Sequence, residues 1–129
     1  MVKRFLVDSS IVSKYLNGLL PEKGYEFMDS IFEIESNISI ITKIELLSWT
    51  TTDKMLYQQI EIFIEDSTIY SLSDEVAQKT IALRRKYRIK TPDAIIGATA
   101  LVHQLTLLTD NERDFRAIKS LKIVNPTRL

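Results

Sequence analysis

The sequence predicts an α/β domain in which a parallel sheet of four to five strands is sandwiched between helices, a three-layer arrangement. Three observations carry this prediction. Short apolar, β-branched runs alternate with segments whose apolar residues recur at helical spacing. The runs are too short and too uniformly apolar for a sheet with one wet face, so helices must cover both sides. The stretch after Pro92 holds Ala94, Gly97, Ala98 and Ala100, small residues that allow a helix to pack closely on a sheet.

Each element follows from local signals. Phe5-Leu6-Val7 is the first strand, and Asp8 ends it. Ser10 to Leu16 reads as a helix closed by Asn17-Gly18. Glu22 to Phe32 is a second helix, entered through Pro21. Asn37 to Ile41 is short and β-branched, hence a strand, and Thr42 opens a helix to about Trp49. Leu56, Ile60 and Phe63 mark a helix over roughly 53–65. Thr68-Ile69-Tyr70 is the third strand, and Val76, Thr80, Leu83 and Tyr87 line one face of the next helix. Thr91 is the expected N-cap of a helix with Pro92 at its first position. Thr106 to Thr109 forms a fourth strand and Ile123-Val124 a weak fifth.

Composition excludes several functions. The 129 residues suit one domain, 1–129, without repeats or linkers. There is no cysteine, so thiolate metal sites, disulfides and cysteine nucleophiles are ruled out. Lysine plus arginine and aspartate plus glutamate both number 17, so net charge gives no sign of a nucleic-acid partner. The N-terminal apolar run is too short for a signal peptide or membrane span, which makes the cytoplasm the expected location, with no membrane association. The single histidine, His103, reads as a helix-end residue and forbids a two-histidine ribonuclease. The only glycines are Gly18, Gly24 and Gly97, so no Gly-rich phosphate loop follows the first strand.

Four acids fall where a parallel sheet binds its ligands, outside the carboxyl ends of the strands. Asp8 follows strand one, Glu45 lies one turn into the helix after strand two, and Asp114 follows strand four. Asp93 opens the helix leading into strand four, which the turn at 103–105 makes antiparallel to that strand. Each has a plain alternative. Asp8 and Asn111 fit helix caps, Thr42-Lys43-Ile44-Glu45 fits a capping box, and Asp93 suits a helix dipole. Crowded together, four carboxylates must take up protons or bind a cation. Oxygen-only ligation suits Mg²⁺ or Mn²⁺.

The chain resembles PIN domains, most closely the VapC-type toxins of toxin–antitoxin pairs. The segments that carry the likeness are Phe5-Leu6-Val7-Asp8-Ser9-Ser10, Ile41-Thr42-Lys43-Ile44-Glu45-Leu46, Thr91 to Ala100, and Leu107 to Phe115. The resemblance implies a Mg²⁺- or Mn²⁺-dependent endoribonuclease. Asp8 and Asp93 would be the most direct metal ligands, with Glu45 and Asp114 completing the catalytic site. Ser9, Thr109 and Asn111 would orient the carboxylates, unless they serve only turns and caps. Asp110, also acidic, sits at a position that varies in the family, so Asp114 is preferred, and a contribution of Asp110 through a water is left open.

Lys43, Arg113 and Arg116 are candidates for holding RNA phosphates, whereas Lys14 reads as solvated surface charge. The resemblance further implies a cognate antitoxin over the acidic pocket and a homodimer. Ile38 to Trp49 and the helix 53–65 are the candidate contact surfaces, with Trp49 alternatively in the core. Two other readings stand beside this one: a PIN nuclease of RNA processing without a toxin role, and a receiver-type phosphoacceptor domain. The second needs an aspartate at the end of strand three, where this chain has Ser71 and Leu72.

Overall fold

The computed structural model describes residues 3–129. The chain runs β1 (Phe5–Val7), α1 (Ser9–Leu16), α2 (Glu22–Phe32), β2 (Asn37–Ser39), α3 (Ile40–Ser48) and α4 (Lys54–Glu65). It continues with β3 (Thr68–Tyr70), α5 (Asp74–Lys86), α6 (Thr91–Val102), β4 (Thr106–Leu108), α7 (Glu112–Phe115) and β5 (Ile123–Val124), then a 3-10 turn at Pro126–Arg128.

All strand pairings are parallel. One ladder has the order β1-β4-β5, and β2 pairs with β3 in a second. The Asn37 side-chain amide joins the two ladders by donating to the Phe5 carbonyl at 3.0 Å. Arg4 reinforces this seam through a two-pronged ion pair with Glu35, at 2.9 and 3.0 Å.

Alternation along the strands divides the core in two. Leu6 and Leu107 face α5, α6 and α7, packing with Val76, Leu83, Ile96 and Phe115. Val7 and Leu108, one residue on, face the opposite layer, with Ile11, Met28, Leu46 and Ile60 of α1–α4 and Ile38 of β2. The three layers expected from the sequence are therefore present, with β1 and β4 covered on both faces.

Several boundaries differ from expectation, each for a local reason. The strand at Asn37 ends at Ser39, because the Ser39 hydroxyl accepts from the Thr42 amide at 3.1 Å and starts α3 three residues early. Thr42 is therefore inside the helix, and the expected capping box with Glu45 does not form. Lys90, not Thr91, is the N-cap of α6, which places Pro92 at the second helical position and leaves the cap without a side-chain bond. Trp49 is the C-cap of α3 and stands 36% exposed, so it is not a core residue. Thr109 lies just beyond β4 rather than in it.

Candidate active site

Parallel pairing fixes the first acid. Val7 is in register with Leu108, so Asp8 leaves β1 beside Thr109, and its amide donates to the Leu108 carbonyl at 2.9 Å. Asp8 is 7% exposed. One carboxylate oxygen caps α1 by accepting from the Ser9 amide at 2.8 Å. The other accepts from the Thr109 hydroxyl, also at 2.8 Å. The capping reading of Asp8 thus holds for one oxygen and leaves the second to the site.

The other acids come from three further elements. Glu45 is freed from capping and accepts from the Ser9 hydroxyl at 3.1 Å. Asp114, in the short α7, accepts from the Asn111 side-chain amide at 2.9 Å. Asn111 occupies the N-cap position of that helix but makes no side-chain cap bond, so its amide is committed to Asp114. The Asn111 backbone N–H donates to the Thr109 hydroxyl at 3.0 Å, which orients that hydroxyl's proton toward Asp8. Ser9, Thr109 and Asn111 therefore each donate to a different carboxylate. Asp93 sits in the first turn of α6, half-buried, and accepts no side-chain hydrogen bond among the described residues.

The electrostatics follow from this placement. Burial pushes the Asp8 carboxyl above its ordinary pKa; the bonds from Thr109 and Ser9 pull it down, and the charges of Glu45 and Asp110 push it further up. Burial also raises Asp93, helped by the charges of Asp8 and Asp114 and opposed by Lys90. The acids from four elements thus feel one another, although their backbones are scattered along the chain. Among the described residues no three of them form a group already able to hold a metal ion.

Asp110 behaves differently. Burial acts to raise it, but the hydrogen bond and charge of Lys14, with Ser10 nearby, outweigh burial and hold its carboxyl below the ordinary range. Lys14 Nζ pairs directly with it. The Ser10 hydroxyl, one turn earlier on the same face of α1, is buried and makes no well-directed hydrogen bond. The sequence reading of Lys14 as solvated charge is corrected by this pair. The i, i+4 spacing of Ser10 and Lys14 was the available signal, but their partner lies 96 residues from Lys14.

The remaining candidates are more peripheral. Arg113 and Arg116 are exposed on and just after α7, and Lys43 is half-buried on α3. His103 caps the far end of α6, roughly 15 Å from Asp93 by helical rise. There it stacks on Tyr70, with ring centroids 4.5 Å apart.

Comparison with known proteins decides the family. The family model described as "PIN domain" matches residues 5–121. The chain belongs to the PIN-domain family. A comparison with curated proteins finds no match. Among solved structures, this PIN domain is similar to a toxin–antitoxin complex from Klebsiella pneumoniae, at 28% identity and a TM-score of 0.78, covering 97% of this chain and 99% of the other. It shares its fold with VapBC2 from Rickettsia felis bound to a promoter DNA fragment, at 22% identity, TM-score 0.78, and 94% and 97% coverage. It also shares its fold with DNA-bound VapBC from Salmonella typhimurium, at 22% identity, TM-score 0.78, and 97% and 99% coverage.

The matched span of the PIN domain contains all four acids and all three donors to them. Among the described residues no helix is long and apolar enough to cross a membrane.

Proposed function

We propose that this PIN domain is a Mg²⁺- or Mn²⁺-dependent endoribonuclease and the toxin of a toxin–antitoxin pair. The observation that carries the reading is the state of Asp8. It is a buried carboxylate held by two donors and surrounded by like charge, an arrangement that a hard cation would relieve. The donor set fits such an ion: only oxygen ligands are at hand, and the one imidazole lies at the wrong end of α6.

Asp8 and Asp93 would hold the ion directly, with Glu45 and Asp114 completing the acidic site. A bound Mg²⁺ or Mn²⁺ supplies a Lewis acid that lowers the pKa of a water and offsets charge on the phosphoryl oxygens. The chain's own residues do the positioning. Thr109 and Ser9 favour the ionised form of the buried Asp8 and fix its direction, Ser9 also aims Glu45, and Asn111 aims Asp114. Lys43, Arg113 and Arg116 would hold phosphates flanking the cleaved bond. By family resemblance the products carry a 5′-phosphate and a 3′-hydroxyl.

The toxin role is supported by the likeness to chains from toxin–antitoxin complexes. It implies an antitoxin whose tail covers the acid site. A homodimer is supported by exposed apolar side chains on α3 and α4, where Ile44, Met55 and Ile62 are each more than half exposed. A small neighbouring reading frame with a DNA-binding N-terminus and a polar tail separates this reading from an RNA-processing nuclease.

Replacement of Asp93 by Asn tests the metal site. The variant is expected to fold normally and to lose Mg²⁺-dependent RNA cleavage. Cleavage at the wild-type rate with Mg²⁺ present rejects the assignment.

A further inference from the structure

The acid site adjoins a concentration of positive charge that net neutrality hides. Within Arg84-Arg85-Lys86-Tyr87-Arg88-Ile89-Lys90, five of seven residues are basic. All five are exposed, and among the described residues none is in a salt bridge. A helix dipole accounts for part of this, since Arg84, Arg85 and Lys86 fall in the last turn of α5, where cations are favoured. It does not account for Arg88 and Lys90, which lie beyond the helix.

Topology places the strip beside the site. Only four residues, 87–90, connect α5 to α6, and the two helices pack along one another. The C-terminus of α5 and the N-terminus of α6 therefore share one end of the layer, and the N-terminus of α6 carries Asp93. Lys90 is the N-cap of α6 and close enough for its charge to act on Asp93. The connection is also shaped. Arg84 Nε donates to the Ile89 carbonyl at 3.2 Å, Ile89 is buried, and Lys86 lies 5.5 Å from the Tyr87 ring centroid. Ile89 anchors the turn inward, leaving Arg85, Arg88 and Lys90 on its exposed side.

From this juxtaposition we infer that Arg85, Arg88 and Lys90 form a phosphate track that grips single-stranded RNA on the α6 side of the cleavage site. The inference rests on the nuclease reading above and adds to it a second set of cations, distinct from Lys43, Arg113 and Arg116. An acidic rim of four or five carboxylates repels a polyanion, so a productive complex needs compensating cations close by. A backbone-tracking strip also suits a strand bound without base readout.

The test uses the full chain in an Asp93→Asn background, so that the probe survives. Binding of a fluorescein-labelled 12-nucleotide single-stranded RNA is measured by anisotropy across a salt series. The triple variant Arg85→Gln/Arg88→Gln/Lys90→Gln is compared with Lys23→Gln/Lys79→Gln/Lys119→Gln, which removes the same charge at exposed positions elsewhere. Each lost phosphate contact should flatten the slope of log K against log salt by about 0.7, so the track variant should lose roughly 2 from the slope. Its affinity at low salt should fall by about tenfold or more. The control should keep both within error.

Equal losses in the two variants reduce the effect to net charge and overturn the track. Unchanged binding in the track variant assigns the strip to another partner and also overturns it. If the triple variant melts early, Arg88→Gln alone, with an expected slope change of about 0.7, takes its place. Failure of the unmodified chain to cut RNA with either ion would instead strike the nuclease reading, an outcome this binding assay does not share.

Discussion

Thr109→Val is the most informative single change, because it alters the surroundings of Asp8 without touching any of the four proposed ligands. The Thr109 side chain is fully buried, donates to Asp8 at 2.8 Å and accepts from the Asn111 amide at 3.0 Å. Valine keeps the shape and removes the hydroxyl. A hydrogen bond to a charged group contributes about 1.5–3 kcal/mol. Its loss lifts the Asp8 carboxyl further above its ordinary range, on top of the rise that burial already imposes.

A divalent ion binds the deprotonated carboxylate, so the variant's Mn²⁺ affinity should fall by about 10–100-fold near the acid end of the range. The deficit should shrink as pH rises and Asp8 ionises regardless. The Asn111 amide also loses its acceptor, at a cost of about 1–3 kcal/mol, so a lower melting temperature alone decides nothing. The deciding assay is calorimetric Mn²⁺ titration at several pH values, with Thr109→Ser as the variant that restores the hydroxyl. Wild-type affinity at every pH, or a loss independent of pH that Thr109→Ser leaves uncorrected, refutes the positioning role.

Three further outcomes are expected. Asp110→Asn should leave Mn²⁺ affinity near that of the parent, because Asp110 is engaged by Lys14, whereas Asp8→Asn should remove it; equal losses would make Asp110 a ligand. Gly24→Ala should cost on the order of 1–3 kcal/mol, since a Cβ there would collide with the Pro126 carbonyl oxygen, and an unchanged melting temperature would contradict the close packing of α2 on the C-terminal turn. Because Asp8 and Asp93 have raised pKa values when folded, their contribution to metal-free stability is complete below the ordinary carboxylate range and is lost as pH rises through the raised values. Added Mn²⁺ should therefore raise the melting temperature at neutral pH, not in acid, and this gain should be missing in Asp8→Asn; an equal gain in acid would contradict the assignment.

What the sequence revealed depended on how local each signal was. The layers and the strand order along the chain were legible because apolar periodicity is written residue by residue, and both faces of β1 and β4 are buried as their composition implies. Helix starts were less legible where two caps competed. Ser39 and Thr42 both offer a hydroxyl, and the sequence favours Thr42 because Glu45 completes a box; the fold selects Ser39 because β2 ends there, with Ser39 fully buried. The same competition sets the state of Glu45, which a capping box would have turned away from Ser9. The Lys14–Asp110 pair and the cationic strip were missed for different reasons. The first spans most of the chain, and the second is invisible to a net charge of zero.

The acids gain meaning from what their neighbours do rather than from their number. A carboxylate that only caps a helix needs one donor and tolerates solvent. Asp8 has a cap on one oxygen, a buried hydroxyl on the other, and acidic neighbours that oppose its ionisation. Folding has thus brought together groups that make ionising Asp8 costly and donors that insist on it. Asp110 shows the alternative open to such a chain, since one lysine from α1 satisfies it within the protein. No side-chain cation pairs in that way with Asp8 or Asp93 among the described residues; only the charge of Lys90 acts on Asp93. The unmatched charge is therefore concentrated where the strands β1 and β4 end, which is where the proposed cation would bind.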